Sequence, residues 1–209
     1  MKQAETLIGD LAQEGKKMIK TKEDLRFYLA EDRKRNNVPK SWWGYVLRLM
    51  AGSDHAVVFR YIKCLRHMEY HLNNSKRSLF HRFLYLYYKF KHTRLGLKYN
   101  ISIGPNKCGY GLRIMHLSGG GGCRIGVLKA GNYCGFNAGV LIGTNNGEEN
   151  RPTLGDYVAF GPGAKAFGKI TIGSNVFVAP NAVVTKDIPD NCIVGGIPAK
   201  IIKYKESKG

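Results

Sequence analysis

The chain of 209 residues is 44% apolar and 11% aromatic, which is typical of a soluble, folded protein. Its unusual property is charge, because 33 lysines and arginines oppose 15 acidic residues for a formal net charge of +18. This charge favours anionic partners such as a phospholipid surface or a phosphorylated ligand. No recognised nucleic-acid-binding motif accompanies it, so we expect no nucleic-acid partner.

Neither a signal peptide nor a membrane span is predicted. The most apolar stretch, 79–90, is interrupted by His81, Arg82 and Lys89 and is too short to span a bilayer. The first residues lack the apolar core of a signal peptide, and we therefore expect a cytoplasmic protein. Five cysteines form no C-x-x-C pair and lie in apolar or repeat segments, which predicts reduced, buried thiols at Cys64, Cys108, Cys123, Cys134 and Cys192.

Glycine content divides the chain near residue 100. Residues 1–99 contain 5 of the 26 glycines and residues 100–209 contain the other 21, which indicates two architectures. The spacing of apolar residues predicts that region 1–99 is α-helical, with helices over 10–20, 21–32, 54–73 and 78–91. Thr21 and Asp54 are the expected N-caps of the second and third of these helices.

Region 100–209 follows a six-residue period, which neither an α-helix nor a meandering sheet explains. The period predicts a solenoid of triangular coils, in which each side takes six residues and a small residue stands at each corner. The predicted inward residues are Ala130, Phe136, Ile142, Leu154, Phe160, Ala166, Ile172, Val178 and Val184. One polar insertion interrupts this order, and we expect residues 144–152 to form an outward loop that is suited to binding.

Several segments resemble the hexapeptide-repeat acyltransferases, and most of all their serine acetyltransferase-like branch. They are GLRIMH (111–116), GVLIGT (139–144), GPGAKAFG (161–168), and the closing VVTKDIP (183–189) with GGIPAK (195–200). The resemblance covers residues 54–205 and implies a left-handed parallel β-helix. It also implies an O-acetyltransferase that uses acetyl-CoA without a metal, and a homotrimer with active sites between neighbouring solenoids.

The resemblance also implies roles for individual residues. His116 would be the general base that takes the proton from the acceptor hydroxyl, and N–H groups of 118–122 would stabilise the oxyanion. The implied acceptor-binding residues are Asp54, Asn145 and Arg151, although Asp54 is equally well explained as an N-cap. Lysines of the coenzyme A site would neutralise phosphates, or else simply solubilise the last coil. The implied coenzyme A residues are Gly161, Gly163, Ala179, Thr185, Lys186, Lys200 and Lys203.

Three positions depart from the serine enzymes of this family. Ile101 and Met115 stand where those enzymes have aspartates, and Arg151 stands where they have a second histidine. L-serine is the favoured acceptor, a sugar hydroxyl of surface-polysaccharide assembly is the alternative, and a non-catalytic binding scaffold is the alternative of another class. The groups left to orient His116 are a backbone carbonyl, Asn100, Glu148 and Glu149.

Two further patterns lie in the helical region. Segment 79–91 combines aromatic and basic side chains, which predicts either peripheral contact with an anionic membrane or a helix packed on the solenoid or its trimer mates. His67 and His71 stand one helical turn apart, as in zinc sites. No third ligand follows at a recognisable spacing, so we expect no metal site.

Overall fold

The structure, a computed structural model, describes residues 18–117, 121–144 and 146–206. Its helical part consists, within those residues, of α1 (Lys22–Arg35), α2 (Trp42–Met50), α3 (Asp54–Asn73) and α4 (Leu79–Tyr99). The helix predicted over 10–20 lies outside the described residues as far as residue 17, and residues 18–20 are not helical. Among the described helices, none combines the length and the apolar character that crossing a membrane requires.

Local sequence signals set the helix ends. Thr21 caps α1 in a capping box: its hydroxyl accepts the Asp24 N–H at 3.0 Å, and the Asp24 carboxylate accepts the Thr21 N–H at 2.9 Å. The N-cap prediction for Asp54 is wrong, because Ser53 has the extended backbone of an N-cap and Asp54 is already helical. Helix α4 continues past its predicted end at residue 91 and stops where Asn100 adopts a left-handed φ of 54°.

Helix α2 was not predicted. Its sequence, WWGYVLRLM, is only nine residues long and contains one charged side chain, Arg48, so the run is too short for its helical period to be recognised. None of its residues is buried, so this helix lies on the surface of the helical part.

Residues 101–204 form a parallel β-solenoid. In chain order its strands are β1 (Ile101–Ile103), β2 (Arg113–Met115), β3 (Cys123–Ile125), β4 (Lys129–Ala130), β5 (Gly135–Asn137), β6 (Leu141–Gly143), β7 (Thr153–Leu154), β8 (Ala159–Phe160), β9 (Lys165–Phe167), β10 (Thr171–Ile172), β11 (Phe177–Val178), β12 (Val183–Val184), β13 (Cys192–Gly195) and β14 (Lys200–Tyr204). Face A consists of β1, β3, β6, β9 and β12, face B of β4, β7 and β10, and face C of β2, β5, β8, β11, β13 and the antiparallel β14. Successive parallel strands of one face belong to successive coils.

The six-residue period is confirmed as the inward column of the solenoid. Every predicted inward residue is at most 2% exposed, and the rings of Phe136 and Phe160 stack with centroids 5.8 Å apart. The parallel β-helix with a helical N-terminal part is therefore confirmed. All five cysteine thiols are buried, as predicted.

A buried ion cluster joins the helices to the first coil. Arg66 of α3 is fully buried and pairs with Asp32 of α1 at 2.8 Å and with Glu69 at 3.0 Å. Arg66 also donates to the carbonyl of Cys108 at 3.0 Å, while the Asp32 carboxylate accepts the N–H of Leu112 at 2.8 Å. This cluster, which we call the Arg66 cluster, fixes α1 and α3 against the solenoid.

Candidate active site

His116 lies directly after β2, at the corner where the chain leaves face C and enters face A, which we call the C–A corner. Its φ of 60° is in the left-handed region, which costs an ordinary residue about 1 kcal/mol and is commoner for histidine than for most side chains. The same region recurs at other turns of the solenoid, for example at Tyr157 and Asn181, so this φ is a turn conformation and does not by itself indicate a functional residue. Among the six histidines, all of which the structure describes, only His116 is exposed, so its imidazole is accessible to a ligand.

A cleft of about 380 Å³ reaches Leu117, the residue that follows His116, while His116 itself is not among the residues that line it. Leu117 lines one side, and the start of α3 and the end of α4 line the other. The cleft thereby brings Asp54, a predicted acceptor-binding residue, to the same cavity as the segment that follows the histidine. Residues that line it include Asp54, Tyr99, Asn100, Leu117, Gly121 and Gly122.

Asn100 forms a fixed wall of this cleft. Its carbonyl accepts the N–H of Cys123 at 2.9 Å, which ties the end of α4 to the second coil. Its side-chain amide lies directly against Gly122, where a Cβ would collide with the amide nitrogen. Gly122 is therefore required by a close approach of backbone and side chain, and this packing positions the amide.

The positions that hold aspartates in the serine enzymes do not supply a carboxylate here. Ile101 is 3% exposed and points into the solenoid core. Met115 is partly buried and pairs in register with Asn137 of β5. Among the described residues, the His116 ring has no hydrogen-bond partner, so what orients it stays a prediction.

The polar loop 144–152 leaves the solenoid at a different corner, between β6 of face A and β7 of face B. Within it, Arg151 forms an ion pair with Glu148 at 2.8 Å. Asn145, predicted to bind the acceptor, lies outside the described residues. Since His116 occupies the C–A corner, the loop and the histidine of one chain lie on different edges of the solenoid.

Three predicted coenzyme A residues share the corner of His116. Gly161 and Gly163 follow β8 and Ala179 follows β11, so these corner positions carry at most a methyl group. Backbone hydrogen bonds join the corners of successive coils, for example from the N–H of Gly163 to the carbonyl of Ala138 at 2.9 Å. With neighbouring coils about 4.8 Å apart, this column of small residues extends roughly 14 Å from the coil of His116.

The other predicted coenzyme A residues lie at the end of the solenoid, and all of them are exposed. Lys200 and Lys203 belong to β14, whose start lies beside Val183. Lys200 is therefore close to the last C–A corner. Thr185 and Lys186 follow β12 and lie at the next corner, so one chain does not bring all these residues together.

Asn137 is a residue of this region that the sequence analysis missed. It is only 8% exposed, its Nδ2 donates to the carbonyl of Phe160 at 2.7 Å, and its register partner Met115 directly precedes His116. The available signal was a polar residue at a corner position that elsewhere is mostly glycine or alanine.

Histidines of the helical region pack against other side chains of the helices. His71 Nδ1 lies 2.9 Å from His81 Nδ1, and the ring of His67 stacks on Tyr88. Burial and the nearby charge of Lys63 lower the pKa of His67 to about 4. Among the described residues, no group of three or more potential ligands is arranged to hold a metal ion.

Comparison with known proteins finds similarity to serine acetyltransferases. No family model matches the chain. The serine acetyltransferase of Synechococcus elongatus is 38% identical over 106 residues, which are 49% of this chain and 42% of that protein. The chain spans about half the length of the curated relatives it matches.

Solved structures agree with the sequence comparison. The serine acetyltransferase of Neisseria gonorrhoeae in complex with serine matches 87% of this chain and 70% of its own, with a TM-score of 0.61 and 25% identity. The enzyme of Brucella abortus in complex with coenzyme A has a TM-score of 0.60 at 23% identity, covers 87% of this chain and 67% of its own, and supports the fold alone. In sequence and in fold, the chain resembles serine acetyltransferases.

Proposed function

We propose that this chain, which resembles serine acetyltransferases, is an acetyl-CoA-dependent O-acetyltransferase with L-serine as its acceptor. The observation that carries the proposal is the exposed imidazole of His116, which shares its corner with the column of small residues and directly precedes Leu117, a lining residue of the cleft beside Asp54. An acceptor in the cleft and a long thioester along the column would meet at this imidazole.

His116 acts as the general base in this proposal. A neutral imidazole accepts the proton of the acceptor hydroxyl while the oxygen attacks the carbonyl carbon of the thioester. The new C–O bond forms, the C–S bond breaks, and the thiolate of coenzyme A leaves with the proton that the imidazole held. Proximity of hydroxyl and thioester supplies much of the acceleration. The oxyanion donors expected at 118–122 stay a prediction, since residues 118–120 lie outside the described part.

A homotrimer would complete the site. In one chain the loop with Arg151 and Asn145 lies on another edge than His116, so a neighbouring chain would have to bring its loop to the C–A corner. The same arrangement would let Thr185 and Lys186 of one chain join Lys200 and Lys203 of another around the coenzyme A phosphates. Size-exclusion chromatography with light scattering should find particles of three chains, and a monomer that is fully active would contradict this assembly.

A sugar hydroxyl is the alternative acceptor. It is favoured by Ile101, which is buried in the core and leaves the imidazole without the aspartate that the serine enzymes have. Segment 79–91 supports membrane contact, because Leu79, Phe83 and Phe90 are at least 67% exposed. Another protomer could cover the same side chains. A non-catalytic scaffold is the alternative if His116 has no catalytic role.

An acceptor survey tests the proposal. Purified protein is mixed with acetyl-CoA and a thiol reagent, and L-serine or single candidate glycans are added in turn. Release of free coenzyme A that depends on L-serine supports the serine acceptor, and release with glycans alone supports the sugar alternative.

Variants test the role of the histidine. His116→Ala should lower turnover by about 100-fold or more, the usual contribution of a general base. His81→Gln is the matched control, because residue 81 lies roughly 25 Å along α4 from the cleft and Gln can still hydrogen-bond to His71. Full turnover in His116→Ala would overturn the mechanism, and no acceptor-dependent release in the unmodified protein would favour the scaffold.

A further inference from the structure

A second cleft, of about 620 Å³, lies between α1, the segment that follows it, and α3. Its floor is apolar and is formed by side chains that include Leu29, Val38 and Phe59. Its residues belong neither to the C–A corner nor to the coenzyme A column. We call it the α1–α3 cleft.

The rim of this cleft is basic. Arg33 is held in place, because its Nη1 donates to the carbonyl of Lys40 at 3.0 Å and its guanidinium lies 5.1 Å from the centre of the Phe59 ring. Lys34 and Lys63 are exposed and, among the described residues, have no carboxylate within ion-pair distance. No acidic residue lines the cleft, and its basic residues are Arg26, Arg33, Lys34, Lys40 and Lys63.

Helix α2 stands beside the cleft with an exposed apolar surface. Arg48 of α2 donates to the carbonyl of Asn37 in the cleft wall at 2.7 Å, and Tyr45 of α2 contacts Phe59 of the floor edge-on, with ring centres 5.9 Å apart. Helix α2 and the cleft therefore form one continuous surface. The exposed fractions of its large apolar residues are 64% for Trp42, 68% for Trp43, 63% for Leu47 and 80% for Met50.

We infer that this surface docks onto an anionic lipid bilayer, with lipid phosphates at the basic rim of the α1–α3 cleft and α2 in the headgroup region. Charge complementarity favours this occupant, because a second copy of the chain docked by two-fold symmetry would bring the same uncompensated lysines against these. A free phosphate would need the basic rim but not an apolar floor with an apolar helix beside it. Tryptophans and a basic border on a short apolar helix are typical of interfacial membrane segments. The inference goes beyond acetyl transfer and does not depend on it.

The chain carries its own reporter for this docking. Its only two tryptophans, Trp42 and Trp43, both lie on α2. Full-length protein is titrated with phosphatidylcholine vesicles and with vesicles that also contain about 30% phosphatidylglycerol, an anionic fraction sufficient for a negative surface. We expect co-sedimentation and a blue shift of tryptophan emission with the anionic vesicles alone, both weakened by added salt. Sedimentation without a blue shift would overturn the role of α2, and equal binding to both vesicles would overturn the role of the rim.

Paired variants separate a specific rim from general positive charge. One basic side chain near an anionic surface contributes a factor of about five, so Lys34→Gln with Lys63→Gln should weaken vesicle binding about 30-fold. Lys129→Gln with Lys169→Gln removes the same charge from exposed positions of the solenoid and should have little effect. An equal loss in both double variants would overturn the inference.

Two further measurements identify the occupant. Leu47→Glu keeps both tryptophans and the exposed position but should abolish the blue shift, and an unchanged shift would count against insertion of α2. Inorganic phosphate without vesicles should leave the emission unchanged, and saturable binding of phosphate would replace the lipid with a free anion. Serine-dependent acetyl transfer in solution should be unaffected by the Lys34 and Lys63 changes, which distinguishes this inference from the proposed activity.

Discussion

Replacing Arg66 by methionine tests how the helices are held on the solenoid. The substitution keeps an unbranched side chain but leaves the carboxylates of Asp32 and Glu69, and the carbonyl of Cys108, without their buried donor. Removing one partner of a buried ion pair costs about 3–5 kcal/mol, against a typical domain stability of about 5–15 kcal/mol. With a urea m-value of about 2 kcal/mol per molar, the midpoint of unfolding should fall by roughly 2 M.

Urea unfolding followed by circular dichroism measures this effect. Arg26→Met is the matched control, because the Arg26 side chain is 78% exposed, and it should change the stability by less than about 0.5 kcal/mol. Adding Asp32→Asn and Glu69→Gln to Arg66→Met removes the unpaired charges and should recover part of the loss. If the losses of stability from the single substitutions add up within about 0.5 kcal/mol to the loss in the triple variant, so that no stability is recovered, the coupling that we assign to the Arg66 cluster is refuted.

Three further changes test the core, the cleft and the buried histidines. Phe136→Ala leaves a cavity beside its stacked partner in the solenoid and should lower the free energy of unfolding by about 3–5 kcal/mol in urea titrations; a loss below about 1 kcal/mol would contradict its core position. Gly122→Ala drives a methyl group into the Asn100 amide and should raise the KM for the acceptor more than the KM for acetyl-CoA in steady-state assays, whereas equal changes would argue against a role of this wall in acceptor binding. Burial lowers the pKa of His67 and of His92 to about 4, so the unfolded chain, with a pKa near ~6.5, binds their protons first and stability falls as pH decreases from ~6.5 towards ~4. After allowance for partial solvent screening, the two histidines together should lower the free energy of unfolding by about 2 kcal/mol between about pH 7 and pH 5, as measured by urea unfolding. Replacing both by glutamine should make the free energy of unfolding less dependent on pH in this range.

The solenoid was predictable because its signal is repeated. Each coil presents apolar residues to the core at the same spacing. Phe136, Phe160 and Val178, which are neighbours in the core, therefore occupy equivalent positions of the repeat and can be recognised together. Helix α3 was predictable for a related reason, since its apolar face has regular spacing over many turns. Helix α2 has only nine residues, which are too few for such a pattern to repeat, and it was missed.

The candidate site was predictable only in part. His116 was identified through motifs that resemble those of known enzymes, and no local pattern distinguishes its imidazole from the five partly or fully buried ones. Asn137 was missed because its importance depends on its register with Met115 in the neighbouring coil. The prediction that Asp54 caps its helix failed because Ser53 precedes it and either residue suits an N-cap.

By itself, the sequence determined the repeat, its inward column and the division into a helical and a β-helical part, because periodic burial requires apolar residues at a regular spacing in the chain. Only the tertiary structure decided which distant residues meet. It packs Asn100 against Gly122, brings the start of α3 to the cleft that reaches Leu117, and sets α2 beside the α1–α3 cleft. These juxtapositions depend on how the helices dock through the Arg66 cluster, and contacts between residues so far apart in the chain leave no period in the sequence.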